Sequence, residues 1–199
     1  MGTGIFDGCT SLATLIIDIT NVGSWFSNNN SIKEVILGNN VSSIELRAFY
    51  GCMSLNSIII GNSVTSIGHE AFSSCYELST VTIPESVTSI GVNVFQNCIN
   101  VSDVYCYADP SKLSWNSYND FKANKATKCH VLTSELSTYQ SRFGDIVNVT
   151  FVGDLTTHID NAFIGRISNE LIYDFNGRRA NDKNSNGIYI KNGKKYIIK

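Results

Sequence analysis

Six cysteines and three histidines are the residues of this 199-residue chain best suited to chemistry. Thiolates and imidazoles in sets of four hold zinc, and a thiol beside an imidazole makes a nucleophile. The spacing supports neither. Cys52, Cys75 and Cys98 recur at intervals of 23 residues, with no CxxC pair and no paired histidines. One cysteine per interval reads as a column of buried thiols acting as small apolar fillers. Cys106 and Cys129 fall near adjacent copies of the interval, and whether they form a disulfide stays open at this level. His69, His130 and His158 each stand alone, His69 beside Glu70 and His130 at an outward strand position. Asp182, Asn184, Asn186 and Gly187 in DKNSNG match the opening of a calcium loop, but Gly193 stands where the closing glutamate belongs, so an ordinary Asn/Gly turn is the better reading. The sequence therefore names no catalytic residue, no metal ligand and no cofactor.

The interval that spaces the cysteines spaces everything else. Phe49, Phe72 and Phe95 repeat every 23 residues, and AFYGCMSLNSIIIGNSVTSIG (48–68) aligns with AFSSCYELSTVTIPESVTSIG (71–91). Counting from each Phe, apolar residues fall at +3 (Cys52, Cys75, Cys98), +6 (Leu55, Leu78, Val101), +9 (Ile58, Val81, Val104) and +11 (Ile60, Ile83, Cys106). The +9 and +11 positions mark a short strand with one face inward, and +15 and +18 (Val64, Ile67; Val87, Ile90) mark a second extended side. A segment such as GHEAFSSC (68–75) reads as a compact, helix-like turn between them. The frame extends upstream through Phe26 to a shorter first copy at Phe6, and downstream to a distorted copy around Phe121, Cys129 and Val131. A repeat this short cannot bury its apolar face alone, so the prediction is a solenoid of about six stacked rungs.

Charge restricts the partners. Residues 1–165 hold 7 Lys+Arg against 14 Asp+Glu, and residues 166–199 hold 8 against 3, for a net charge of −2. An acidic body lacks the basic footprint that phosphate backbones require, which argues against nucleic acid. No apolar run approaches membrane-spanning length, and MGTGIFDGCTSL has no signal-peptide pattern.

The pattern AF..C..L..V.IP.SVTSIG resembles the BspA-like variety of bacterial leucine-rich repeats. It implies a leucine-rich repeat solenoid, α/β horseshoe type but strand-rich, over residues 1–152 including a degenerate C-terminal cap. The resemblance also implies a non-catalytic protein outside the cell or on its outer surface, binding a protein or host glycoconjugate in an adhesion-type role. The alternative is a structural surface spacer with no ligand of its own. In such an array the outward strand column, Ile16, Ile36, Ile59, Thr82 and Tyr105, is the candidate binding ridge, since contiguous exposed apolar surface marks contact sites. Cross-rung stacking of β-branched residues would stabilise the same column without a ligand. Tyr105, Tyr107 and Trp115 gather near the cap end as candidate aromatic anchors. The strand at Leu15 should be an open edge, which calls for either a segment upstream of this sequence or self-association through the edge.

From Leu171 the chain alternates apolar and polar residues, and Asn192–Gly193 predicts a hairpin over 187–199, with Ile172 to Phe175 as a third strand. IYDFNGRR…GIYIKNGKKYIIK resembles the C-terminal tails of secreted Bacteroidetes proteins, including the type IX sorting class, which implies passage across the envelope. Residues 153–169 read as the linker and 170–199 as a small β-strand tail.

Overall fold

The computed structural model describes residues 12–116 and 126–156, together with Phe6, Cys9, Asp120, Phe121 and Ala123 and the backbone of 187–191 and 194–198. The expected linker beyond Thr156, the third tail strand, His158 and the calcium-like loop (apart from the Gly187 backbone) lie outside the described residues.

Each 23-residue repeat makes one turn of a β-solenoid. Its first side carries β1 (Thr14–Asp18), β3 (Glu34–Leu37), β5 (Ser57–Ile59), β7 (Thr80–Ile83), β9 (Asp103–Cys106), β11 (Thr127–Leu132) and β12 (Val149–Leu155). Its second side carries the two-residue strands β2 (Asn21–Val22), β4 (Ser43–Ile44), β6 (Ser66–Ile67), β8 (Ser89–Ile90) and β10 (Ser114–Trp115). All of these pair in parallel, like residue opposite like: Val35 faces Ile58, Val81 faces Val104, and Ile44, Ile67 and Ile90 line up in turn. The Val, Ile and Leu residues at +9, +11, +15 and +18 all point inward, and every one from Val35 to Ile90 is buried. One contiguous apolar core therefore runs the length of the array, as a sequence repeat with one inward face per side requires.

The first side is broken once. It consists of two ladders, β1-β3-β5 and β7-β9-β11-β12, with no pairing between β5 and β7. Beside the break, at +12, one bond is excluded by covalent structure: the amide of Gly38 donates to Ile17 O at 2.7 Å and that of Tyr107 to Ile83 O at 2.9 Å, but Pro84 has no N–H to give the rung before it.

The third side holds the phenylalanines, and the expected helix-like turn is only half of its bonding. Across Gly68–Cys75 alternate amides close local turns, Ala71 N to Gly68 O at 3.3 Å, Ser73 N to Glu70 O at 3.2 Å and Cys75 N to Phe72 O at 3.2 Å, while the others run between rungs: Glu70 N to Val92 O at 3.0 Å, Phe72 N to Val94 O at 3.0 Å and Ser74 N to Gln96 O at 2.7 Å. One rung earlier, Arg47, Phe49 and Gly51 donate in the same way to His69, Ala71 and Ser73. Alternate amides can face the next rung only if the chain twists between them. Two columns of left-handed residues do this: Arg47, Glu70 and Asn93, and Asn28, Gly51, Ser74 and Asn97. Only one of these seven is glycine, so most of the twists carry the strain of a Cβ in the left-handed region. Inside the turns Phe6, Phe26, Phe49, Phe72, Phe95 and Phe121 form a continuous stack, with adjacent ring centroids 4.7 to 5.9 Å apart.

The cap departs from the repeat. After β11 a short 3-10 turn leads into the helix α1 (Leu136–Phe143) and then β12. Eight residues of LSTYQSRF have too little intrinsic helicity to stand alone. Tyr139 and Phe143 are buried against the core, the Tyr139 hydroxyl donates to Ala108 O, and Arg142 donates to the carbonyls of Pro110 and Leu113. Packing therefore makes this helix, which is why no periodicity announced it.

At the other end, β13 (Gly187–Lys191) and β14 (Lys194–Ile198) form an antiparallel pair, and β13 lies parallel to β1 with Gly187 opposite Thr14 and Lys191 opposite Asp18. The edge of β1, expected to be open for self-association, carries this hairpin instead. A strand edge presents a row of unpaired amides and carbonyls, and the chain supplies its own partner for them.

Candidate functional site

The first-side strands align the candidate ridge across rungs. Ile16 lies opposite Ile36 and Ile36 opposite Ile59; in the second ladder Thr82 lies opposite Tyr105, Tyr105 opposite His130, and His130 opposite Val152. Exposure divides this column. Ile16 and Ile36 are each only 9% exposed, because β-branched side chains at strand spacing cover one another, and Thr14 and Glu34 close over their flank through a 3.3 Å hydrogen bond. Ile59, Thr82 and Tyr105 are half-buried and reach solvent. The apolar ridge thus has a closed end at Ile16 and Ile36 and an accessible end from Ile59 onward.

At the accessible end the side chains form one cluster. The Tyr105 ring stacks on the His130 ring, centroids 4.6 Å apart and 14° from parallel. His130 Nδ1 lies 2.7 Å from Asp154 Oδ2, and Nε2 lies 3.0 Å from Asp103 Oδ1. Asp103 also accepts the Ser102 hydroxyl at 2.6 Å. Partial burial of the imidazole works against its charge, but the hydrogen bonds and charges of both aspartates outweigh that and raise its pKa. Asp103 is correspondingly held below the usual carboxylate range by the Ser102 and His130 hydrogen bonds. Tyr107 stands on the same face, its phenol pushed up by burial and by the neighbouring Tyr105 and Asp154. His130 is the residue that the ridge expectation left out. Its outward position was readable, but the 26-residue spacing from Phe95 to Phe121 shifts the last rung and hides its alignment with Tyr105.

Trp115 does not join this cluster. It sits in β10 on the second side, buried, with its indole N–H donating to Asp120 Oδ2 at 3.1 Å. Asp120 is itself buried, and its other oxygen accepts the Phe95 amide at 3.0 Å, the amide that in earlier rungs donates to a backbone carbonyl. Burial raises its carboxyl to about 6 against those hydrogen bonds. This carboxylate closes the turn ladder where the repeat ends.

The remaining candidates stay apart. Cys52, Cys75 and Cys98 are fully buried beside the phenylalanine stack, and each thiol donates to the carbonyl of the preceding rung's Phe at 3.0 to 3.3 Å. They are weak donors as well as fillers. Burial pushes the Cys52 thiol up to about 12. Cys106 and Cys129 are buried free thiols, and Cys106 lies 3.2 Å from the Tyr139 hydroxyl. His69 is exposed and accepts the Val92 amide through Nδ1 at 2.8 Å, a link between rungs. Among the described residues no group of three or more His, Cys, Asp and Glu is placed to hold a metal, and no helix is long and apolar enough to cross a membrane.

Comparison with known families matches residues 1–125 to the BspA type leucine rich repeat region in six copies. The chain is a BspA-type leucine-rich repeat protein. The array is similar to a solved leucine-rich repeat protein of T. pallidum, with 23% identity, a TM-score of 0.57, and 73% of this chain and 71% of that one covered. It is also similar to a leucine-rich repeat protein of Bacteroides ovatus, with 30% identity, a TM-score of 0.58 and 76% of this chain covered, although the match spans only 39% of that longer protein. No curated protein matches. The BspA-type repeat here is built from strands and turns with a short 3-10 helix at Ser24–Phe26, and among the described residues the α-helix lies in the cap.

Proposed function

We propose that this BspA-type array is a non-catalytic, exported or cell-surface binding module whose first-side strand face, from Ile59 through Thr82 and Tyr105 to His130, holds a protein or glycoconjugate. The observation that supports this reading is the register of the outward column. Strand pairing sets Thr82, Tyr105, His130 and Val152 side by side, with Asp103, Tyr107 and Asp154 flanking them. The result is a broad, shallow surface with aromatic rings at its centre and hydrogen-bonding groups at its rim. Such a surface suits a polymer or a folded partner; a small metabolite needs a deeper pocket. Adhesion is the role this face would serve outside the cell, and the sorting-like tail would deliver it there. The low exposure of Ile16 and Ile36 supports the spacer reading for the first rungs, whose outward column acts as packing.

The test is an array of purified extracellular-matrix proteins and mammalian glycans probed with the full chain. Tyr105→Ala and Thr82→Lys should each lower binding to any positive probe at least about tenfold, while Ser66→Lys on the second side leaves it unchanged. Equal binding by all three variants would refute the face.

A further inference from the structure

Among the described residues His130 alone bridges two carboxylates, and these belong to different strands. Asp103 lies on β9, the last regular rung, and Asp154 lies on β12, the outermost strand of the cap. The imidazole on β11 stands between them, with both ring nitrogens within hydrogen-bonding distance of an oxygen. A carboxylate can only accept, so both contacts are hydrogen bonds only when both nitrogens carry protons. A neutral imidazole has one N–H, and its other nitrogen would then set a lone pair against a carboxylate oxygen.

Asp103 has a second donor in the Ser102 hydroxyl, but among the described residues no other side chain is bonded to both carboxylates. On β7 the facing residues are Thr80 and Thr82, without charge; on β9 they are Asp103, Tyr105 and the adjoining Tyr107; on β11 the exposed Lys128 lies beside Asp103; on β12 they are Thr150, Val152 and Asp154. Apart from His130, Lys128 is the one cation among these described neighbours. It acts on Asp103 through charge alone, with no ion-pair contact between them among the described residues.

We propose that His130 is a proton-operated clamp on the binding face: as an imidazolium it ties β9 to β12 and holds the Tyr105 ring in place, and on losing its proton to solvent it lets one aspartate go and loosens the cap strand. The functional consequence rests on the strand-face reading above. Below the titration the face is a fixed aromatic platform whose two aspartates are paired; above it, one carboxylate is free, the face is more negative, and β12 has lost one side-chain tie while keeping its backbone ladder, the Thr133 hydroxyl bonds to Gly153 O and Leu155 O, and the packing of Phe151 on Tyr139. A partner that needs the platform in order binds more tightly under acid conditions. The sign follows from the raised pKa: the clamp is fully made below the ordinary histidine value and lost as pH rises through the higher folded one.

The test uses the full chain and needs no partner for its first arm. Histidine NMR should show His130 titrating above 6.5, with His69 and His158 assigned by substitution. Exchange of the β12 amides, corrected for intrinsic rates, should slow roughly three- to tenfold as pH falls through that titration, the range expected for one charge-assisted hydrogen bond. His130→Gln should abolish this step, and Asp154→Asn should lower the His130 titration while the chain stays folded by circular dichroism. Because Asp120 also titrates near 6, a step shared equally by the wild type and His130→Gln would overturn the clamp. So would a His130 titration at or below 6.5. In the second arm, a probe found positive on the array should bind the wild type several-fold more tightly at pH 5.5 than at pH 8, with no such change in His130→Gln. Binding without that difference refutes the clamp and leaves the face; a clamp seen by NMR with no positive probe leaves the clamp and removes the face.

Discussion

Replacing Phe72 with alanine removes the centre of the phenylalanine stack. The ring is fully buried, with centroids 5.5 Å from Phe49 and 5.9 Å from Phe95 and planes within 1° and 7° of theirs. A buried Phe→Ala change costs about 3–5 kcal/mol through lost transfer energy and the cavity left behind. Each ring pair contributes about 0.5–1.5 kcal/mol beyond its area, and rungs locked in register by strand ladders on both sides collapse poorly into a void. The expected loss is therefore about 5 kcal/mol, near the top of the single-site range. Phe72→Leu keeps most of the volume and forfeits the ring pairs, so it should cost about 1–2 kcal/mol. Phe6→Ala, at the end of the described stack beside Phe26, should cost about 3 kcal/mol. Urea unfolding followed by far-UV circular dichroism gives the order. In a solenoid held by nearest-neighbour contacts, Phe72→Ala should also lower the slope of the transition, because it uncouples the two halves of the array. A cost for Phe72→Ala below that for Phe6→Ala, or an unchanged Phe72→Leu, would refute the view that ring contacts between rungs hold the array together.

Three further predictions concern the turns and the core. Asp120 has its carboxyl raised to about 6, so the folded chain takes up a proton the unfolded chain does not, and stability should rise by about 1 kcal/mol between pH 7 and pH 5; Asp120→Asn, measured in the same denaturant series, should remove that part of the slope and leave the part due to His130. Ser74 holds a left-handed backbone at φ 63 where the preceding rung has Gly51, so Ser74→Gly should raise stability by about 0.5 kcal/mol, and a loss of stability would show that the turn is not strained. Five cysteines are buried and Cys9 is half-buried, so a thiol reagent at pH 8 should label Cys9 alone in the native chain and all six in urea; rapid native labelling of Cys75 would contradict the thiol column.

Much of the architecture was legible because a 23-residue period makes the same choice many times. One Cys-x-x-Leu would mean little, but Cys52, Cys75 and Cys98 with Leu55, Leu78 and Val101 identify inward columns, and each of these six residues is buried. The turn side was less legible. AFSSC has the composition of a helical turn and does close turn bonds at Ala71, Ser73 and Cys75, but only the bonds from Glu70, Phe72 and Ser74 to the next rung show that every second amide is satisfied between repeats. The binding column was identified by position but not by exposure. Strand alternation says that Ile16 and Ile36 point out, and it is silent about how far their neighbours cover them.

The sequence by itself determined the repeat, its inward and outward columns, the stack of phenylalanines and the family, since these are properties of periodic local pattern and stacking makes every rung read alike. Only the tertiary structure decided where the period fails. The first-side ladder breaks between β5 and β7, Asp120 replaces a missing rung carbonyl, α1 forms because Tyr139 and Phe143 find a core, and β13 pairs with β1 across almost the whole sequence. The cluster of Asp103, Tyr105, His130 and Asp154 belongs to this second group. Its members come from three strands, and the irregular last rungs that bring them together follow no interval that counting residues could reveal.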